Sequence, residues 1–212
     1  MRAMSASPGM DGLPGLPPPS GMRTGPVPDA PDAPAKGPEH GPEFGPEHGV
    51  MNLGDVAFDD VAALLARYGL QLVPVAAGEP IPGSFWGDRE AGVIGSLVYA
   101  RADTPLHSLL HEACHLIVIP PPLRARVHTD ASDSQFEEDA TCYLQLLLAD
   151  ALPGFGIARA FADMDAWGYS FRLGSARAWF EQDAEDAARF LQELPHLQGV
   201  LPGIPHTPAA GA

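Results

Sequence analysis

Apolar residues along this chain recur at two spacings, and proline or glycine closes most of the runs. Over residues 55–68, Val56, Phe58, Val61, Leu64 and Leu65 return every two to four positions, with Gly69 behind them as a stop. That is the stripe of an amphipathic helix. Residues 70–75 and 92–100 are short and rich in Leu, Val, Ile and Tyr, which predicts two strands. Between them Pro80, Pro82 and Gly83 enforce a loop that carries Phe85 and Trp86. Thr104 and Pro105 then open a helix over 105–118. The Thr oxygen can accept from first-turn amides, and Pro fits a position where its missing N–H is not needed. The run Pro120, Pro121, Pro122 ends it. Further helices are predicted over 134–151, closed by Pro153 and Gly154, and over 175–194, with Ser175 as N-cap and Pro195 as stop. The order helix, strands, helix, helix, helix predicts an α+β fold with a small sheet packed on a helical layer.

Composition divides the chain. Residues 1–50 hold 12 of the 24 prolines and 9 of the 23 glycines, and residues 37–49 repeat Gly-Pro-Glu followed by His, Phe and His. Such a stretch cannot bury enough apolar surface to fold. The expectation is a disordered tail over 1–50, one domain over 51–200 and a frayed end over 201–212. His40 and His48, eight residues apart in that tail, read as solvated rather than metal-bound.

Lys and Arg number 12 against 27 Asp and Glu, a net charge of −15. The tail carries 3 basic and 6 acidic residues, which leaves 9 and 21, or −12, on residues 51–212. That balance argues against nucleic acid as a partner, since neutralising phosphates takes clustered Lys and Arg. With Lys36 the single lysine, no polybasic membrane anchor is present. No apolar run approaches the roughly 18–20 residues of a membrane span, and no apolar stretch follows Arg2 as in a secretory leader. Two cysteines, Cys114 and Cys142, are too few for a disulfide framework. These features together predict a cytoplasmic protein with reduced thiols.

The candidate chemistry lies in the 105–118 helix, which reads His111-Glu112-Ala113-Cys114-His115. Two histidines at i and i+4 stand about 40° apart around a helix, so both imidazoles can reach one metal ion, with Glu112 beside them to act on a water. The competing reading is a pair of core histidines. Leu106, Leu109, Leu110, Leu116, Ile117 and Val118 surround the helix, however, and each polar group buried there without a partner costs roughly 1–3 kcal/mol. One ion would serve all of them. A third ligand is expected from Glu137 or Glu138, which open the 134–151 helix. On a helical wheel Glu137 lies at the edge of the apolar stripe formed by Ala140, Leu144, Leu147 and Leu148, whereas Glu138 shares a side with Gln145 and Ala149. The burial argument favours Glu137, with Glu138 as runner-up.

Taken with Glu137 and Ala140 in an E-x-x-A pattern, then Tyr143, Leu147, Leu148 and Pro153, the HEACH segment resembles the ImmA/IrrE-like metallopeptidases within the gluzincin group. The likeness covers residues 90–153, with Thr141 where the family often has Asn and no helix-turn-helix segment alongside. It implies a zincin-like core, one zinc per chain held by His111, His115 and Glu137, and hydrolysis of a peptide or protein substrate. Glu112 would take a proton from the zinc-bound water and pass it to the leaving amine. It also implies that the strand over 92–100 is the substrate-side edge, where an extended peptide could add. His128, Tyr99 and Tyr169 are candidates for the oxyanion donor.

A metal-stabilised binding or regulatory module is the alternative, and hydrolysis of a non-peptide amide a third possibility. His107 reads as polarity at the helix entry, or as a neighbour that orients His111. Trp167, Tyr169, Phe171, Trp179 and Phe180 read as core or cleft wall, and residues 183–186 as a solvated face. Asp130 and Asp133 would hydrogen-bond a ligand histidine or begin the helix.

Overall fold

The computed structural model describes residues 49–85, 87–129 and 134–202. The expected tail up to residue 48, Trp86, Asp130, Asp133 and the chain beyond residue 202 lie outside the described residues.

The first predicted helix is α1, Phe58–Ala66, with Val61, Leu64 and Leu65 turned inward. It starts later than expected because Leu53–Asp55 form a 3-10 turn tied to the segment over 102–104. Leu53 and Gly54 donate to the carbonyls of Thr104 and Ala102 at 2.8 and 2.7 Å. Strand β1 is Gln71–Pro74.

The run over 92–100 is not one strand. Gly95, at φ +62°, begins a two-residue turn with Ser96 that folds it into a hairpin of β2, Gly92–Ile94, and β3, Leu97–Ala100. Gly92 pairs with Tyr99 and Ile94 with Leu97. A positive φ at the first turn residue matches the twist of a two-residue hairpin, which is why Gly stands there. β1 joins the other side of β3 in parallel, giving the order β1-β3-β2.

This corrects the expected edge, because β3, the strand that leads into the helix bearing His111 and His115, is central. β2 lies at the side of the sheet, yet its outward groups are taken. Val93 donates to Gly83 O at 3.2 Å and accepts from Thr129 N at 3.1 Å, Gly95 donates to Val127 O at 3.0 Å, and Ile94 bridges His128. A peptide cannot add at this part of β2 while those contacts hold.

Helix α2 is Leu106–Val118 and α3 is Gln135–Ala151. Thr104 does not cap α2; its hydroxyl accepts from Arg101 N at 3.0 Å, and Pro105 stands at the N-cap. α2 packs on β2 and β3 with one face and on α3 with the other. α3 is covered in turn by α4 and α6, so every residue from 140 to 149 is buried. The fold is α+β, a small sheet against a layer of helices.

Helix α4, Ile157–Trp167, was not predicted. Its inner face is built from Ala160, Phe161 and Met164 together with Asp163, which is buried and accepts from Met51 N at 2.9 Å and from Arg159. With Ile157, the apolar residues stand at i, i+3, i+4 and i+7, a helical stripe that is present in the sequence. The helix expected over 175–194 is two helices, α5, Ala176–Gln182, capped by Ser175, and α6, Glu185–Glu193. The break falls at Asp183, which is paired with Arg172 rather than fully solvated; Asp186, paired with Arg189, is exposed as expected.

Among the described residues no helix is long and apolar enough to cross a membrane. Leu144 has no exposed surface at the centre of α3. Leu144→Ala is expected to lower stability by about 2–5 kcal/mol in denaturant unfolding, from lost burial and the cavity left behind. A loss under about 1 kcal/mol would contradict the central position of α3.

Candidate metal centre

The helical period brings His111 and His115 to one side of α2, and their Nε2 atoms lie 3.1 Å apart. The start of α3 brings a carboxylate to the same point. It belongs to Glu138, with Oε1 3.3 Å from His111 Nε2 and Oε2 3.4 Å from His115 Nε2. The three groups form a candidate cation site.

Glu137, the ligand favoured from the sequence, turns the other way. Its backbone N–H donates to Ser134 Oγ at 3.3 Å, and the Ser134 hydroxyl lies 3.2 Å from its carboxylate, so it closes the helix cap. The wheel misled because α3 is buried all round from Ala140 to Ala149, and an apolar stripe there does not reveal which side meets α2. The polar residues do. Glu138, Thr141 and Gln145, at i, i+3 and i+7, form the strip that faces the histidines.

That strip sets the protonation pattern. Gln145 Nε2 donates to the His107 carbonyl at 2.9 Å, which leaves its amide oxygen 3.2 Å from His111 Nδ1. A carbonyl oxygen only accepts, so His111 carries its proton on Nδ1 and turns the lone pair of Nε2 inward. Thr141 Oγ1 lies 3.3 Å from His115 Nδ1, where its hydroxyl can accept or donate and so holds the ring in place. Lone pairs from two imidazoles and a carboxylate then converge on one point. A tetrahedral zinc with bonds of about 2.0–2.1 Å separates its ligand atoms by about 3.3 Å, which the observed 3.1, 3.3 and 3.4 Å approach.

The surroundings are graded from dry to wet. The His115 and His111 side chains keep 9% and 15% of their exposure, and Glu138 keeps 38%, so the carboxylate side faces solvent. Burial disfavours charge on His111, but Tyr169, the Cys142 thiol and Glu138 outweigh it and raise its pKa well above the usual imidazole value. His115, buried and facing His111, is pushed down to about 3. The pair therefore takes up one proton, on His111.

Of the three oxyanion candidates, the structure brings Tyr169 to the site. Its ring stands edge-on to His111 with centroids 5.6 Å apart. Burial raises its pKa first of all, and Glu138 and Glu112 add to the effect, so the phenol stays protonated. Tyr99 alternates with the inward-facing Val98 and Ala100 on β3, and so lies on the sheet face turned from the core. His128 is exposed at the outer side of β2, its Nδ1 2.8 Å from Thr129 Oγ1.

Sequence reasoning underused three neighbours. Cys142 hydrogen-bonds His111. Glu90, just before β2, accepts from Trp167 and lies within electrostatic reach of His111, and burial lifts its pKa to about 7. His107 has no exposed surface, which overturns the helix-entry reading. It packs against Trp167 and Tyr169 with centroids 4.9 and 5.7 Å away, and burial lowers its pKa to about 3. Cys114 and Cys142 are free and buried.

Comparison with family models, curated proteins and solved structures finds no match.

Glu138→Gln is expected to abolish stoichiometric zinc binding in metal analysis, while Glu137→Gln retains it; the reverse result would return the ligand role to Glu137. Gln145→Leu is expected to weaken zinc binding by about 10–100-fold through loss of the tautomer control. With one proton to displace, apparent zinc affinity should be level above the raised pKa of His111. Below it, affinity should fall about tenfold per pH unit.

Proposed function

We propose that this protein is a zinc-dependent metallopeptidase of the ImmA/IrrE-like, gluzincin type, with a zincin-like core and one ion per chain. The observation that carries the reading is the triangle of His111, His115 and Glu138 beside Glu112, on a helix packed against a small sheet. A divalent ion held there supplies Lewis acidity, lowering the pKa of a water and polarising a carbonyl. Glu112, which follows His111 and acts electrostatically on Tyr169, takes the proton of the attacking water and delivers it to the leaving amine. The protonated Tyr169 hydroxyl donates to the oxyanion of the tetrahedral intermediate.

The substrate is a peptide or protein. A cleft of about 390 Å³ lies beside the first turn of α3, lined in part by Phe136, Asp139, Phe171, Arg172, Asp183 and Asp186. It is linked to the metal centre through Phe171, whose ring stacks on Tyr169 with centroids 6.2 Å apart. Three carboxylates against one Arg favour neutral or basic substrate segments, an attraction that salt weakens. Two free, buried thiols suit a cytoplasmic setting.

One observation favours a second reading, a metal-stabilised module without hydrolytic activity. The Cys142 thiol bonded to His111 could take a fourth ligand position and close the site.

Glu112→Gln is expected to keep zinc near one per chain and to lower hydrolysis of a mixed peptide library by about 100-fold or more. Tyr169→Phe should lower kcat by about 10–1000-fold with zinc content unchanged. Undiminished hydrolysis in Glu112→Gln would remove the mechanism.

A further inference from the structure

Resting on the metallopeptidase reading, the cleft beside the first turn of α3 defines which side chain a substrate can bring near the bond under attack. Two links place it against the candidate centre. Asp139, which lines it, directly follows Glu138 in α3. Phe171, also in its lining, stacks on Tyr169, and the Tyr169 ring stands edge-on to His111, so the cleft is two ring contacts from a ligand. Successive residues of an extended peptide advance by at most about 3.3–3.6 Å. A side chain within a few residues of the cleaved bond therefore reaches the cleft.

The lining combines flat rings with one uncommitted carboxylate. Phe171 and the buried Trp179 stack with centroids 5.0 Å apart and planes 27° apart. Phe136, 64% exposed, adds a ring open to solvent. The lining cation, Arg172, lies against both carboxylate oxygens of Asp183, and Asp186 pairs with Arg189. Asp139 differs. It accepts from the Gln135 amide at 2.9 Å, and among the described residues no Lys or Arg pairs with it. A carboxylate has about four acceptor positions, so one neutral donor leaves most of Asp139 to an incoming group.

The occupant must lie flat against rings and donate to a carboxylate. A guanidinium does both: it is planar, weakly hydrated, stacks on aromatic faces and presents its N–H groups in a fork that matches a carboxylate. A lysine ammonium is a strongly hydrated point charge with no face to stack. An aromatic side chain would cover the half-buried Asp139 without giving it a partner, which is costly. At about 390 Å³ the cleft is large enough for one long side chain.

We propose that this cleft is a specificity pocket for an arginine side chain of the substrate. Asp139 receives the guanidinium, and Phe136 and Phe171, the latter backed by Trp179, supply the aromatic faces.

The test uses the zinc-loaded full chain and eight-residue peptides of Gly, Ala and Ser with one central Arg, citrulline, Lys or Leu. Citrulline keeps the shape of arginine without its charge. For the wild type, kcat/KM should be about 10–100-fold higher with Arg than with citrulline, the range of a hydrogen bond to a charged group. Asp139→Asn, which retains an acceptor for Gln135, should remove most of that preference while zinc content stays near one per chain. Phe136→Ala, at an exposed position, should lower it by about 2–5-fold. The same ratios should appear as binding affinities in Glu112→Gln, where turnover is blocked. Cleavage without preference for Arg over citrulline, or a preference that survives Asp139→Asn, would overturn the pocket and leave the peptidase reading standing. Asp139-dependent preference in binding, without turnover of any peptide by the wild type, would uphold the pocket and overturn the peptidase reading. A Lys peptide bound as tightly as the Arg peptide would overturn the choice of guanidinium, and equal binding of all four peptides would overturn the pocket.

Discussion

Two imidazole nitrogens and a carboxylate are held about 3 Å apart at the seam between α2 and α3. Lone pairs at that spacing repel unless a cation lies among them, so packing these two helices together is favourable only with a proton or a metal in the seam. Much else in the fold is arranged around this constraint. α3 is buried from Ala140 to Ala149, so Thr141 and Gln145 cannot turn to water, and each is matched to a group on α2, while Glu138 reaches the seam from the solvent side. Binding energy at the seam is thereby also folding energy.

The neighbours of the triangle are mostly groups that hold or direct a proton. Gln145 fixes the His111 tautomer, Thr141 steadies the His115 ring, Tyr169 stays protonated because it is buried, and Glu112 follows His111 in sequence. The sheet contributes position more than contact, since β3 delivers the chain into α2 while the side of β2 is covered by residues after α2.

The two histidines were legible from sequence because a helix maps spacing onto direction, and Pro105 ahead with the triplet Pro120, Pro121, Pro122 behind fixed where that helix runs. The third ligand was not, because hydrophobicity marks burial and not which neighbour is met. Glu137 satisfied the burial argument, yet Ser134 had a stronger local claim on it as a cap. Glu138, Thr141 and Gln145 form an i, i+3, i+7 polar series in an otherwise apolar helix, and that series was the available signal. The hairpin within 92–100 was marked by Gly95 but hidden by apolar residues on both sides. Trp167 and Tyr169 meet His107 and His111 through tertiary packing, which no local pattern encodes. α4 was legible in Ile157, Ala160, Phe161 and Met164 at i, i+3, i+4 and i+7, a stripe that was passed over.

The open or closed state of the seam decides between an enzyme and a structural metal. X-ray absorption at the zinc edge of the loaded, full-length chain reads it directly. This account predicts nitrogen and oxygen scatterers at about 2.0–2.1 Å, with the outer-shell pattern of two imidazoles and no sulfur. A sulfur scatterer near about 2.3 Å would show Cys142 on the metal, and would contradict an open catalytic site.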